Sequence, residues 1–572
     1  MVLVESWLSV ILRLLSLRAS TPGDGVLKSQ TIVPPTITPE LSRYVEGMME
    51  KFAVPGLSLG IIHSRDQIIE EYGHWGIRSE DGDEVTKKTL FSIGSCSKAF
   101  ATAALGILMD DFSNGRNVTA LPPSITKFSY DTKVHELFPG EDSDWKLVDK
   151  WASSKANLRD VLGHVSGLPR HDLSYTAADS PKDVVRRMRH LKPTFELRER
   201  FSYNNQMFIL AAHIIATYSG KPYKTFVKER IFDPLGMSST TFSAQEAERS
   251  GHFSQAFTTD NRRIPFWLAD IEELITGAGG IISNTVDMNK WLAMLLNDGV
   301  DPRSNLTVVP KFAFDEVTTA HYIVSGKTDN PSFSVNGYGM GWARFSYKGF
   351  DVITHNGGLP GFLTTVAFVP SQRLGVVSFI NTAIAPTVNS AVLYSILDRI
   401  AGSPPDSVPE APRTVHPVVQ GVPSTLSLEA FTGTYNDTGY GSIAFCSSAS
   451  TSEYCKGVLS DFAAVYPDQP QHNRTLYAAW PRVWIRHVRL VHYDGNSFRL
   501  GGMTLFPNGH GRNHTPFAER PGEVDYVAEF DVKDGVVKGL AFYGGFAEDV
   551  EQPVQTGEGN LTEIADVYFR KV

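Results

Sequence analysis

Three short patterns in the chain set nucleophile, base and hydrogen-bond donor at spacings that chemistry can use. In Phe91-Ser-Ile-Gly-Ser95-Cys-Ser-Lys98 a serine is followed by a lysine at i+3. On the first turn of a helix two such side chains share a face, above the unpaired N–H groups and the positive end of the dipole. A lysine stripped of water, with cations beside it, gives up its proton and can then take one from the serine. In Phe201-Ser-Tyr203-Asn-Asn205 a phenol that, buried near two cations, can titrate low enough to relay protons stands two residues before a carboxamide that can orient a substrate amide. Val352-Ile-Thr-His355-Asn-Gly357-Gly358 reads as a strand ending in His-x-Gly-Gly. There the missing Cβ atoms allow a substrate close to the backbone and free an N–H for an oxyanion.

Competing matches fail on context. Ser124–Lys127 follows Pro122-Pro123 in a polar stretch, and Ser143–Lys146 lies among Glu141, Asp142 and Asp144. Only Ser95 opens an apolar run, with Ala99, Phe100, Ala103, Ala104 and Ile107 behind it. Lys327-Thr-Asp329 sits in a polar loop, and His74-Trp-Gly76 precedes Ser95. Plainer roles stand beside the chemical ones: a helix cap for Ser95, a turn and a core tyrosine for Tyr203 and Asn205, a satisfied strand-end ring for His355. His164 reads as structural, and Cys96 as a small buried hydrophobe.

These residues need elements to hold them. Leu41, Tyr44, Val45, Met48, Met49 and Phe52 follow helical spacing, Leu57–His63 reads as a buried strand, and Gln67–Trp75 as its hairpin partner. Phe91–Phe112 runs from loop into a long helix stopped by Ser113-Asn-Gly115. Six prolines between Ser403 and Ser424 forbid helix and central strand alike. Beyond them, seven short aromatic and β-branched stretches, from Phe431–Tyr435 to Ala565–Arg570, point to an all-β barrel or sandwich. The expected organisation is a leader over 1–35, a catalytic domain over 36–402, a linker over 403–426 and a β domain over 427–572.

Composition narrows the function. The chain has 572 residues, 42% of them hydrophobic, and a net charge of −9, which argues against nucleic acid as a partner. No apolar run is long enough to span a membrane, and no His, Asp or Glu cluster has metal spacing. Three cysteines cannot build a disulfide scaffold; Cys446 and Cys455 could bridge or stay free thiols. Arg13 and Arg18 interrupt the N-terminal apolar stretch, against a secretory signal. Six Asn-x-Ser/Thr sequons weigh the other way. The compartment stays open, with an intracellular site ahead of secretion.

Ser-x-x-Lys, Tyr-x-Asn and His-x-Gly in that order resemble the serine β-lactamase and penicillin-binding-protein superfamily. Asn157–Leu168, Phe232–Met237, Gly279–Ser283 and Gly357–Phe362 are similar to its class C and esterase-like branch. Residues 427–572 more distantly resemble a lipocalin-like appendage. The resemblance implies an α+β fold: an antiparallel sheet flanked by helices, a helical subdomain, and the site between them. It implies Ser95 as acylated nucleophile, with Lys98 and Tyr203 as general bases. Asn205 would position substrate, His355 would stand where penicillin-hydrolysing members have Lys, and the N–H groups of Ser95 and Gly358 would form the oxyanion hole beside Gly357. The implied activity is hydrolysis of an ester or amide in a small or short peptide-like substrate, without cofactor or metal. Acyl transfer to a small-molecule acceptor is the alternative. Neutral histidine in place of a permanent cation disfavours the further alternative, a β-lactamase. On this reading acidification toward pH 6 should charge His355 and favour carboxylate-bearing substrates. Acyl group, acceptor and oligomeric state are not specified.

Overall fold

The structure, a computed structural model, describes residues 34–403 except 259, 270, 272, 384 and 385, together with 421–468, 474–519, 526–543 and 560–572. Nearly all of the expected leader and most of the linker lie outside the described residues. From Ile37 onward the chain belongs to one compact unit.

The first helix, Pro39–Lys51, follows from its sequence. The Thr38 hydroxyl accepts from Leu41 N at 3.3 Å, Pro39 sits where no N–H is needed, and Leu41, Val45, Met48 and Met49 are buried. The hairpin of Gly56–Ser64 and Ile68–Gly76 follows, in register from Gly56↔Gly76 to Ser64↔Ile68.

That hairpin is one edge of an eight-stranded antiparallel sheet. After Ile68–Gly76 and Gly56–Ser64 come Leu374–Ile380, Phe362–Val369, Phe350–Leu359, Ala343–Tyr347, Asn336–Tyr338 and Tyr322–Ser325. Gly56–Ser64 is buried throughout because helices cover both faces. Leu57, Leu59 and Ile61 pack with Leu41, Val388 and Ile396 on one face. On the other, helix Thr285–Leu295 comes so near that a Cβ on Gly60 would lie 3.0 Å from Thr285 Cβ.

Helices Ser97–Ser113 and Gln206–Ser219 pack against each other at the centre of the helical part. Both are apolar nearly all round, which is what a helix buried on every side requires. Phe100 stacks on Trp291 at 4.1 Å and ties the first of them to the sheet-covering helix. No helix among the described residues is long and apolar enough to cross a membrane.

The chain after the linker forms a second, nine-stranded antiparallel sheet. Cys446 and Tyr477 exchange backbone hydrogen bonds of 2.8 and 2.9 Å, which joins the two end strands, Gly441–Phe445 and Thr475–Ala479, into a nearly closed barrel. The seven expected stretches all contribute strands. Thr475–Ala479, Phe517–Glu519 and helix Glu453–Val465 were not anticipated. The helix has its signals: a Ser452 cap on Cys455 N at 3.2 Å and a buried stripe of Cys455, Val458, Leu459 and Phe462. Cys446 and Cys455 are joined as a disulfide, which ties this helix to the closing bridge.

Candidate active site

Ser95 lies on a 3₁₀ turn, Gly94–Cys96, between the short strand Phe91–Ser92 and helix Ser97–Ser113. The turn leads directly into the helix, so Lys98 falls one turn on, beneath the serine. Lys98 is fully buried. Its Nζ reaches Ser95 Oγ at 3.1 Å, Asn205 Oδ1 at 2.8 Å and the Ala278 carbonyl at 2.7 Å. Burial holds its pKa well below the usual lysine value, the Arg170 charge lowers it further, and Asp172 and Cys96 oppose. A neutral amine has two N–H bonds and one lone pair. Asn205 Oδ1 and the Ala278 carbonyl can only accept, so they take the N–H groups and leave the lone pair for the Ser95 proton.

The Tyr203 side chain is also a hydrogen-bond partner of Ser95, and Lys98 Nζ lies 4.8 Å from the centre of its ring. Burial raises the phenol's pKa, and neither its bond to Ser95 nor the Arg170 charge reverses this. The expected low-titrating tyrosine is therefore a protonated phenol at rest. Full burial costs the phenolate more than one nearby guanidinium returns.

His164 explains how this segment is held. Its carbonyl accepts from Ser202 N at 2.7 Å and its Nδ1 from Asn204 N at 3.1 Å, so the two bonds straddle Tyr203. The fully buried ring, 4.4 Å from that of Tyr203, is kept neutral by desolvation. The structural reading of His164 fits this geometry.

Asn205 departs from its expected place. Its Oδ1 accepts from Lys98, and its Nδ2 donates to the Asp172 carboxylate at 3.1 and 3.3 Å. Rather than facing substrate, the carboxamide holds the lysine. Asp172 also accepts from Arg170 Nε at 2.8 Å. The sequence reading passed over Arg170 and Asp172, because it stopped at Leu168 in the same loop.

His355 lies on strand Phe350–Leu359. Its Nδ1 is 2.6 Å from the Asn356 carbonyl and its Nε2 3.0 Å from the Tyr338 hydroxyl. Burial, with the Lys98 charge, pushes its pKa down to about 3. The expected appearance of imidazolium near pH 6 is thereby corrected: this ring is neutral across the physiological range, both nitrogens committed within the protein. The Cys96 thiol donates to the His355 carbonyl at 3.2 Å and links the serine's turn to this strand.

Gly357 and Gly358 divide the remaining work. A Cβ on Gly357 would fall 1.9 Å from the Ile93 carbonyl oxygen, so only glycine lets the strand lie against the serine's turn. A Cβ on Gly94 would sit 2.8 Å from Gly358 N, which brings the Gly358 backbone beside Ser95. Gly358 is exposed and lines, with Ser95, Arg170, Tyr203, Tyr338 and His355, a cavity of about 590 Å³. One competing pair is engaged elsewhere: Ser143 bonds with its own turn at Trp145, and Lys146 with the Glu141 carbonyl.

The Beta-lactamase family model matches residues 41–398. Unguisins hydrolase ungD' of Aspergillus campestris (strain IBT 28561) is 28% identical over 431 residues, covering 70% of this chain and 76% of that protein. The D-alanyl-D-alanine-carboxypeptidase/endopeptidase AmpH of Escherichia coli (strain K12) is 23% identical over 414 residues, 67% of this chain and 95% of that one. Among solved structures, the octameric penicillin-binding protein homologue from Pyrococcus abyssi superposes with a TM-score of 0.53 at 20% identity, over 89% of this chain and 98% of its own. The fold is β-lactamase/transpeptidase-like, with the barrel as an added part.

Proposed function

The chain belongs to the Beta-lactamase family and is a serine hydrolase of the β-lactamase and penicillin-binding-protein type, and from that premise we propose that it cleaves an amide or ester in a small, peptide-like substrate through an acyl-enzyme on Ser95. One observation carries the reading: a fully buried Lys98 whose two N–H groups are spoken for, with its remaining partner, Ser95 Oγ, at 3.1 Å.

In the first half-reaction Ser95 Oγ attacks the carbonyl carbon and its proton passes to Lys98 Nζ. The carbonyl oxygen takes the displaced electron pair, facing the N–H groups of Ser95 and Gly358; one such donor contributes about 3–4 kcal/mol. As the tetrahedral species collapses, the C–N or C–O bond breaks and the leaving atom takes the Tyr203 phenolic proton. Lys98 ammonium then returns a proton to Tyr203. In the second half-reaction a water attacks the acyl carbon and gives a proton to Lys98 Nζ; the Oγ–C bond then breaks, and Ser95 Oγ takes that proton back as the acid product leaves.

Neutral His355 supports an uncharged amide or ester over a β-lactam carboxylate at that wall of the cavity. The names of the two relatives, a hydrolase and a carboxypeptidase/endopeptidase, support the amide. A panel of p-nitrophenyl esters, D-amino-acid amides and nitrocefin tests the reading. Turnover of an ester or amide with at least tenfold higher kcat/KM than nitrocefin supports it, and nitrocefin as the best substrate refutes it.

A further inference from the structure

The loop that carries Arg170 and Asp172 is held from behind by the barrel. Between strands Thr475–Ala479 and His487–Asp494 the chain makes a short turn, Trp480–Arg486, closed by Trp480 N to the Arg486 carbonyl at 2.8 Å. From this turn Val483 N reaches the Tyr175 carbonyl at 3.4 Å, and Trp484 Nε1 donates to Tyr175 Oη at 3.0 Å. Fully buried Tyr175 donates in turn to Asp172 Oδ1 at 2.7 Å. A second strut lies one residue from the aspartate. His171 Nε2 is 2.9 Å from the Lys192 carbonyl and its Nδ1 2.6 Å from Tyr440 Oη, a tyrosine of the barrel. The carbonyl can only accept, so Nε2 carries the proton and Nδ1 accepts from Tyr440. Residues 171 and 175 thus face the barrel, while 170 and 172 face the site.

These bonds join end to end. Trp484 donates to Tyr175, Tyr175 to Asp172, Asn205 to Asp172, and Lys98 to Asn205. Every donor on this line has a matched acceptor, and the line ends on the lysine beside Ser95. We propose that Trp484 and Tyr175 are positioning residues of the active site, and that the barrel completes the catalytic geometry by fixing Asp172, and through it Asn205 and Lys98. The inference rests on Ser95 being the acylated residue. It goes beyond the proposed function in making the C-terminal barrel a working part of the site.

Neither residue touches the reacting atoms, so their effect is on geometry. Displacing a reacting group by a fraction of an ångström lowers a rate without abolishing it. Tyr175→Phe removes the hydroxyl that reaches Asp172 and keeps the ring; Trp484→Phe removes the donor to that hydroxyl. Each should slow Ser95 acylation about tenfold. The decisive readout is their combination. Once the Tyr175 hydroxyl is gone, the Trp484 N–H has nothing on this line to act through, so the double variant should be no slower than Tyr175→Phe alone.

The probe is a fluorophosphonate, and the quantity is its second-order labelling rate on the full-length protein, with thermal unfolding to show that each variant is folded. Slower labelling with a non-additive double variant supports the relay. Labelling of folded Trp484→Phe at the wild-type rate, or multiplying losses in the double variant, overturns it. Where Trp484→Phe does not fold, Tyr175→Phe decides alone through its pH–rate profile. The groups facing Lys98 are Ser95 and Cys96 on its own turn, Arg170 and Asp172 on the loop, and Tyr203, His164 and His355 opposite. A carboxylate that has lost a donor exerts more of its charge on Lys98, so the acid limb of labelling should move to higher pH in Tyr175→Phe. An unshifted limb at the wild-type rate overturns the proposal. Failure of the wild type itself to label on Ser95 is a separate result and refutes the nucleophile assignment instead.

Discussion

The Tyr338 hydroxyl donates to His355 Nε2 at 3.0 Å, because the Nδ1 proton is already given to the Asn356 carbonyl at 2.6 Å. That pair fixes one neutral tautomer. With the ring's pKa pushed down to about 3, no cation appears at this wall as the solution is acidified. The ratio of kcat/KM for nitrocefin to that for a neutral p-nitrophenyl ester should therefore stay within about twofold between roughly pH 5.5 and 8.5, the range of an ordinary imidazole titration. A steep rise in the ratio toward pH 5.5 would show that His355 does become charged.

The same burial has a cost in stability at low pH. His171, at about 4, and His355, at about 3, both lie below the usual 6.5. Between those values and 6.5 the unfolded chain binds protons that the folded chain refuses, so stability falls as pH falls through that window. At pH 5 each ring should cost about 2 kcal/mol relative to pH 7.5. Denaturant unfolding at the two pH values checks this; equal stability would contradict it.

Adjacent glycines should respond oppositely. Gly357→Ala places a Cβ 1.9 Å from the Ile93 carbonyl oxygen, and that backbone atom cannot swing aside. Fluorophosphonate labelling should fall by at least about 10²-fold, with a lower Tm. In Gly358→Ala the nearest atom to the new Cβ is Leu363 Cδ2 at 3.3 Å, a flexible side-chain end. Its Tm should stay close to wild type, and equal damage in both variants would refute the packing argument.

Lys98→Arg keeps a charge and cannot lose it, so acylation should drop at least about 10²-fold. Asn205→Ala removes one of the two acceptors that orient the amine and should cost about 10-fold to 10²-fold. Stopped-flow labelling measures both. A near-wild-type rate in Lys98→Arg would make the lysine a mere electrostatic neighbour.

What the chain announced in advance was local. Ser95 and Lys98 are three residues apart, and the apolar helix behind them separates that pair from Ser124 and Ser143. Strand pairing across the whole chain, such as Leu57 with Ile380, followed only from family resemblance. The contacts of Asp172 with Asn205, and of Tyr175 with Trp484, join residues 33 and 309 positions apart and leave no periodic trace. His355 was legible as a residue type and its titration was not, since burial and the Tyr338 partner belong to the fold. Helix Glu453–Val465 carried a cap and a stripe, yet the surrounding β texture hid them.

The central claim, that Ser95 is the residue acylated, is tested most directly by intact-protein mass spectrometry after fluorophosphonate treatment, with peptide mapping of the adduct. A single adduct on the peptide containing Ser95 in wild type, absent from folded Ser95→Ala, is the expected result. An adduct that persists in Ser95→Ala, or that maps to another serine, would contradict the assignment.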